Sequence, residues 1–554
     1  MTTPLRNPLR GLSPAARLDW GAWLLTVGVF LVAQFWLLLG PHPFDPAKYF
    51  QTGVNFPDVP SDLWTLRIGL VAPVVVAVRM IGPTEAALYA VPLAAGVLLV
   101  TAVYGTMLAL FRDRVLAVAA ALLAALNTDF LLNSSFLFPD TVGTATFAAG
   151  FLFLVLGGLA RERSARASAI AVVLAGFFFG WTYLIRDFSP ILLPTVVAAA
   201  VLLRYSWRRL GLLAGAAACT AALELIYGAV MYGQPFVHVH ALLEHRNAAF
   251  TEQRAITIAT VQEHTQNLGG ALLILPRLIL AWNTGWLLLI LAPLFVVALL
   301  LLRNRQLWVI AAWGIGFWLI MVCLALGELP SGRWIINTTN VRYWYPVYPA
   351  LAMGGTAGLW LLVRRFAPER RGLLFARLAV VALALVILLP GFAEFRRCTP
   401  ENVWRNDPIA RWNELRSWLG SSEAAGYDRI LTDHVTGRIL DPAFLHETVG
   451  DRVWDGHVRA WPRKGTRIEP VQNIDRSLIL VYARRFAGVQ DGQAKLDALD
   501  STWSPVFVSS DRTMVLLARN PVPSELTAGE LEPWWHSPPS SEPQPGGCGL
   551  HPFF

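Results

Sequence analysis

Two carboxylates stand beside long apolar runs in a chain that otherwise keeps acids away from them. Asp45 lies in His42-Pro43-Phe44-Asp45-Pro46-Ala47-Lys48-Tyr49, directly after the first apolar run. Asp140 ends Phe136-Leu137-Phe138-Pro139-Asp140, between two later runs. Desolvating a carboxylate is costly, so an acid at a membrane surface needs a partner or a task. A carboxylate in a partly dry cleft can take a proton from a hydroxyl as a new bond forms. Two acids in different surroundings can divide acid and base roles between them. The competing account is structural: each acid precedes a helix, and Asp followed by Pro is a common helix start.

The cations expected on the same side are Lys48, Arg67, Arg186, Arg246, Arg254, Arg277, Arg333 and Arg342. Arg67, Lys48 and Arg342 suit a phosphate, whose negative charge grows as it leaves. Each also suits an interfacial anchor that snorkels to head groups. Tyr49, Arg186 and Tyr343 are expected to line the same cavity. His238-Val239-His240 with Glu244 and His245 is the one cluster with metal-ligand spacing; a divalent metal is weighed there against a merely polar loop. No resident metal is assigned to Asp45 and Asp140. Asp187, next to Arg186, fits a local ion pair. Glu224 sits inside an apolar run, where it is either paired or functional. The chain carries no phosphate-binding glycine loop, dinucleotide fingerprint or Ser-His-Asp layout, so a cytosolic nucleotide site is unsupported.

The elements that must position these residues follow from composition. The 554 residues are 55% hydrophobic and 15% charged, against roughly a quarter charged in a soluble domain. This is a polytopic α-helical membrane protein. The net charge of +8 comes from Arg clusters between apolar runs and gives no nucleic-acid signal. A span needs about 20 apolar residues. Candidate spans are 20–40, 85–111, 115–132, 141–160, 168–185, 189–203, 210–232, 284–302, 306–327, 343–363 and 378–392, about eleven in all. With the N-terminus cytoplasmic, every Arg cluster falls inside, as topology demands. That arrangement needs 66–81 and 270–282 to lie along the outer surface. The first span reads as a retained signal anchor in the plasma (inner) membrane.

Residues 1–397 are thus expected to form the membrane domain. Residues 398–535 read as an extracytoplasmic soluble α/β domain, with strands at 429–433 and 477–482 and a helix at 408–419. Residues 536–554 read as a disordered tail. Cys219 and Cys323 are expected as small core residues. Cys398 and Cys548 would be able to pair if their region is extracytoplasmic.

Four stretches carry a resemblance: Asp45-Pro46-Ala47-Lys48-Tyr49; Ile81-Gly82-Pro83-Thr84-Glu85 with Pro92 downstream; Phe138-Pro139-Asp140; and Arg342-Tyr343-Trp344-Tyr345-Pro346 with Pro349. In order and spacing over roughly the first 365 residues, the chain resembles the polyprenyl-phosphate-sugar-dependent integral membrane glycosyltransferases of the C superfamily. The bacterial protein O-mannosyltransferases and lipid A aminoarabinose transferases are the nearest groups. The resemblance implies an inverting transferase of membrane lipid-borne sugars to an extracytoplasmic acceptor: glycolipid, polysaccharide or protein. It makes Asp45 the base, Asp140 a second acid and Arg67 a ligand of the lipid phosphate. The family's second acid in the first motif is Pro46 here, and its Lys-Pro-Pro is missing, with Arg67 only near its place. A transporter or flippase of a lipid-linked or polar substrate is the alternative, and Glu224 is the feature favouring it.

Overall fold

The computed structural model describes residues 14–36, 45–161, 164–186, 189–248, 268–280, 288–331, 341–367 and 371–398 of the membrane domain. Beyond it, residues 409–433, 436–437, 440, 452–461, 476–482, 502–510, 512 and 514–519 are described. The tail at 536–554 and the Cys398–Cys548 pairing lie outside the described residues and side chains.

The membrane domain is a helical bundle. Its helices are α1 (Pro14–Trp36), α2 (Asp45–Asn55), α3 (Ile68–Ile81), α4 (Glu85–Phe111), α5 (Arg114–Ala125), α6 (Thr128–Asn133), α7 (Pro139–Ala160) and α8 (Ala165–Ile185). There follow α9 (Leu193–Leu202), α10 (Trp207–Ala221), α11 (Leu223–Tyr232), α12 (Val237–Ala248), α13 (Leu268–Leu272) and α14 (Ile274–Leu280). The last are α15 (Leu291–Leu302), α16 (Arg305–Ser331), α17 (Val347–Phe366) and α18 (Gly372–Cys398). Among the described residues, seven helical segments are long and apolar enough to cross a bilayer, α10 and α11 counting as one. With the shorter apolar segments 114–125, 189–202 and 291–302, and with α17, the spans number about eleven. The chain is a multi-pass membrane protein.

Several spans are interrupted where the sequence pattern reads as continuous. The run at 115–132 breaks because Asn127 serves two helices. Its side-chain amide donates to the carbonyl of Ala124 (2.9 Å), and its Oδ1 accepts from the N–H of Phe130 (2.9 Å). It therefore closes α5 and caps α6. The run at 189–203 opens with a 3₁₀ turn, Ser189–Leu192, before α9. The stretches expected on the surface are short helices. The 14 residues of α3 rise about 21 Å, less than the ~30 Å hydrocarbon core. The 270–282 stretch holds α13 and α14, of five and seven residues.

Small residues let the helices approach closely. Gly176 and Gly180 of α8 lie against the backbone of α10, where an added Cβ would meet the carbonyls of Leu213 and Ala217 at 2.5 Å each. Thr146 of α7 and Thr182 of α8 share a buried hydrogen bond of 3.0 Å. At the far end of this hairpin the Arg clusters gather. Arg161 donates to the carbonyl of Arg204 (3.0 Å), and Arg305 to that of Leu202. Asp113 caps α5 through the Leu116 N–H (3.0 Å) and accepts from Arg377 of α18 (2.9 Å). Cys219 and Cys323 are exposed on the bundle's perimeter, not in its core. Their apolar helices present those faces outward, where lipid takes the place of protein contacts.

Among its described residues, the C-terminal region forms a five-stranded sheet with a helix, α19 (Ile409–Leu419), against it, the strand order being β2-β1-β3-β5-β4 in chain-order numbering. The strands are β1 (Arg429–Thr432), β2 (His457–Ala460), β3 (Ser477–Tyr482), β4 (Trp503–Val508) and β5 (Met514–Arg519). β1 pairs in parallel with β2 and β3, while β5 runs antiparallel to β3 and β4. The run Ser-Leu-Ile-Leu-Val-Tyr of β3 is buried throughout because it is the central strand, covered on both faces. Trp412 and Tyr482 meet edge to face at 5.8 Å between α19 and β3. Arg416 of α19 forms an ion pair with Glu85 at the start of α4, tying sheet domain to bundle.

Candidate functional site

The α7–α8 hairpin builds the first half of the site. Pro139 occupies the first turn of α7, and Asp140 follows it, so the carboxylate lies at the positive end of the helix dipole. Arg186 caps the C-terminus of α8, where its N–H bonds to the carbonyls of Thr182 and Tyr183 and its cation suits the negative end. Antiparallel packing brings the two ends together. Arg186 Nη2 donates to Asp140 Oδ1, with the carboxylate only 1% exposed.

The second half comes from α2 and the turn before α17. Asp45 opens α2, again at a helix N-terminus. Its Oδ1 accepts from the Trp64 indole at 3.0 Å, and its Oδ2 from Arg342 Nη1 at 3.4 Å. Arg342 belongs to the 3₁₀ turn Val341–Trp344, and its Nε reaches toward Asp140 Oδ2 at 3.8 Å. One guanidinium thus spans both acids. The Phe138 and Tyr343 rings lie 5.5 and 5.6 Å from its centre, and Tyr343 also lies 4.6 Å from that of Arg186. Arg67 donates to the Tyr49 hydroxyl, both side chains being buried.

The two acids differ in setting. The Asp45 side chain is 26% exposed, so a substrate can reach it, whereas Asp140 is closed in. Burial pushes the Asp45 carboxyl up, but Arg342, the Trp64 indole, Arg67 and Arg186 together outweigh it and hold it below the usual carboxylate range. Burial pushes the Tyr49 hydroxyl up to about 12, helped by Asp45 and opposed by Arg67, so it stays neutral and donates or accepts as a phenol. Arg67, Arg186 and Arg342 face Asp45 and Asp140, three guanidiniums to two carboxylates. The cluster keeps one net positive charge, which suits an anion.

Of the residues singled out in the sequence, the structure gathers Asp45, Asp140, Arg186, Arg342, Tyr343, Tyr49 and Arg67. Lys48 is placed otherwise: its ammonium pairs with Asp62 at 2.8 Å and sits 3.5 Å over the Trp64 ring. Trp64 and Asp62 had no signal beyond an acid three residues before a threonine. Glu224, on which the transport reading rests, pairs with His238 at 2.6 Å, both buried. That pair also occupies a member of the histidine cluster; His240 is exposed, and the side chains of Glu244 and His245 lie outside those described. Arg246 is in the same position, Arg254, Arg333 and Asp187 lie outside the described residues, and Arg277 sits on α14. Among the described residues no three His, Cys, Asp or Glu side chains group to hold a metal.

No family model and no curated protein sequence matches the chain. Solved structures do. ArnT from Cupriavidus metallidurans bound to undecaprenyl phosphate aligns over 91% of this chain and 99% of its own, with TM-score 0.54 at 13% identity. The Archaeoglobus fulgidus oligosaccharyltransferase in its apo form aligns over 92% and 75%, with TM-score 0.50 at 13% identity. At such identity the likeness is one of architecture. The chain shares the overall fold of these two solved structures.

Proposed function

We propose that the protein transfers a sugar from a polyprenyl-phosphate donor to an acceptor hydroxyl or amine outside the cytoplasm, with inversion at the sugar. The observation that carries this reading is the bridge of Arg342 between an accessible Asp45 and a closed Asp140, within a cluster of net positive charge. Such a cluster suits a lipid phosphate, and the neighbour of the same fold binds undecaprenyl phosphate. The phosphate sits on Arg342 and Arg67. The acceptor loses its proton to Asp45 as its oxygen or nitrogen bonds to the anomeric carbon. The bond from that carbon to the phosphate oxygen breaks, and the phosphate keeps the electron pair. Docking of the phosphate on Arg342 competes for the cation beside Asp45, which raises the carboxylate's proton affinity when the acceptor needs a base. Asp140 holds Arg186 and helps hold Arg342. The protein lies in the inner membrane, N-terminus cytoplasmic and sheet domain extracytoplasmic.

The test is transfer of radiolabelled sugar from a panel of polyprenyl-phosphate sugars to a cell-envelope extract. Purified wild type and Asp45→Asn are run side by side. Label moved by wild type and not by Asp45→Asn is expected; equal transfer by the two overturns Asp45 as base. No transfer from any donor by folded wild type overturns the activity.

A further inference from the structure

We propose that Trp64 is a positioning residue for Asp45, clamped in place by Lys48 and Asp62, so that the carboxylate is presented in one orientation. The inference rests on Asp45 being the base. Trp64 Nε1 donates to Asp45 Oδ1 at 3.0 Å, while Arg342 Nη1 holds Oδ2 at 3.4 Å. Each oxygen therefore has its own donor, from a separate element. A carboxylate held at both oxygens cannot turn about its terminal bond without losing a charge-assisted hydrogen bond.

The indole is itself held. Asp62 Oδ1 accepts from the N–H groups of Trp64 and Thr65, both at 3.1 Å, and Thr65 Oγ1 accepts from the Asp62 N–H at 3.1 Å. This reciprocal turn fixes the backbone that carries Trp64. The remaining oxygen of Asp62 takes Lys48 at 2.8 Å, which places the ammonium 3.5 Å over the indole ring. Lys48 and Asp45 lie on the same short helix, so α2 both carries the carboxylate and clamps its donor. From the other side, the hydroxyls of Tyr227 and Tyr232 on α11 donate to the carbonyls of Thr65 (3.2 Å) and Pro60 (3.3 Å). The cation of Lys48 is thus spent on the clamp, and phosphate contact falls to the arginines.

The indole also contributes to electrostatics. Its N–H favours the ionised carboxylate, together with Arg342, Arg67 and Arg186. Asp62 and Lys48, the other charged groups beside Trp64, neutralise each other.

The experiment follows the protonation of Asp45 in the resting protein, independent of turnover. A carbodiimide labels protonated carboxyls, and mass spectrometry reads labelling of Asp45 against pH in wild type, Trp64→Phe, Trp64→Gln and Lys48→Met. Trp64→Phe keeps a ring and removes the N–H. Trp64→Gln places a neutral N–H the same number of bonds from Cβ. The labelling midpoint is expected to rise by about one pH unit in Trp64→Phe, the size of one lost hydrogen bond to a charged group. It returns toward wild type in Trp64→Gln and rises by a smaller step in Lys48→Met. In the transfer assay kcat falls about tenfold in Trp64→Phe while KM for the donor is kept. A Trp64→Phe labelling curve that overlays wild type overturns the inference, as does a Trp64→Gln curve no closer to wild type than Trp64→Phe. Should Asp45→Asn retain transfer while the labelling midpoint shifts, the base assignment fails and the indole-to-carboxylate contact stands.

Discussion

Asp45 and Asp140 look alike in sequence, each one or two residues after a phenylalanine and next to a proline, yet their neighbours differ. Asp140 is closed in with Arg186. Removing one partner of such a pair leaves a buried charge uncompensated, at a cost of about 3–5 kcal/mol. Asp140→Asn and Arg186→Gln are therefore each expected to lower the melting temperature in detergent, and Asp45→Asn, at a partly exposed carboxylate, to lower it less. Equal destabilisation by Asp45→Asn would argue that Asp45 too is structural. The pH dependence has a definite sign. The Asp45 carboxyl is held below its ordinary value, so its stabilising contribution is present above the unfolded pKa and is lost as pH falls through the folded one. The Asp45 carboxylate is ionised throughout neutral pH. The acid limb of kcat/KM against pH, which reports the free protein, is expected below the usual carboxylate range, and Arg342→Gln, which removes the largest attraction, moves that limb upward. A limb unmoved by Arg342→Gln would show that the guanidinium does not set the charge of Asp45.

The elements convert sequence distance into proximity. Asp140 and Arg186 are 46 positions apart and meet because α7 and α8 form an antiparallel hairpin. Arg342 is 297 positions from Asp45 and meets it because the turn before α17 returns to the end of the bundle where α2 lies. The α3 helix links these parts, since Trp181 of α8 donates to the Gly69 carbonyl at 3.1 Å. A Cβ on Gly69 would meet the backbone of Leu184 at 2.7 Å and of Ile185 at 2.8 Å. Backbone cannot yield as a flexible side chain does, so Gly69→Val is expected to cost about 1–3 kcal/mol through overpacking. It also pushes α3 away from α8, and with it the turn that carries Arg67. Loss of melting temperature together with weaker donor binding checks this. An unchanged melting temperature would mean that α3 is free to shift. The Asn127 break shows the reverse case, in which a single polar residue divides an apolar run that hydropathy reads as one span.

At the scale of the whole molecule, an ion pair between Glu85 and Arg416 joins the sheet domain to the bundle. Glu85 opens α4 behind its Thr84 cap, and Arg416 comes from α19; both side chains are largely buried, at 11% and 13% exposure. Arg416→Ala would leave the carboxylate unpaired, at about 3 kcal/mol or more. The expected outcome is faster proteolytic release of the sheet domain with the bundle still folded, followed by limited digestion and gel analysis. Release at the wild-type rate would place the docking energy in the apolar contacts instead.

Membrane residence was legible in the sequence because it depends on residue totals over tens of positions, and bilayer thickness sets the scale. The candidate spans and the two buried strands of the sheet were legible for the same reason. The ordered motifs also singled out Asp45, Asp140 and Arg342, and the roll of expected outer cations included Arg186. Only the tertiary structure decided which cation faces which acid. Those pairings join residues from different helices, and hydropathy carries no record of partners. Lys48 shows this most directly: its position beside Asp45 suggested a phosphate ligand, and the fold gives it Asp62 and the Trp64 ring. Trp64 itself had no pattern to mark it, because one indole N–H becomes a carboxylate donor only when the turn at Asp62 aims it there. Long-range packing fixes such angles, whereas composition and local spacing fix only where each helix starts and ends.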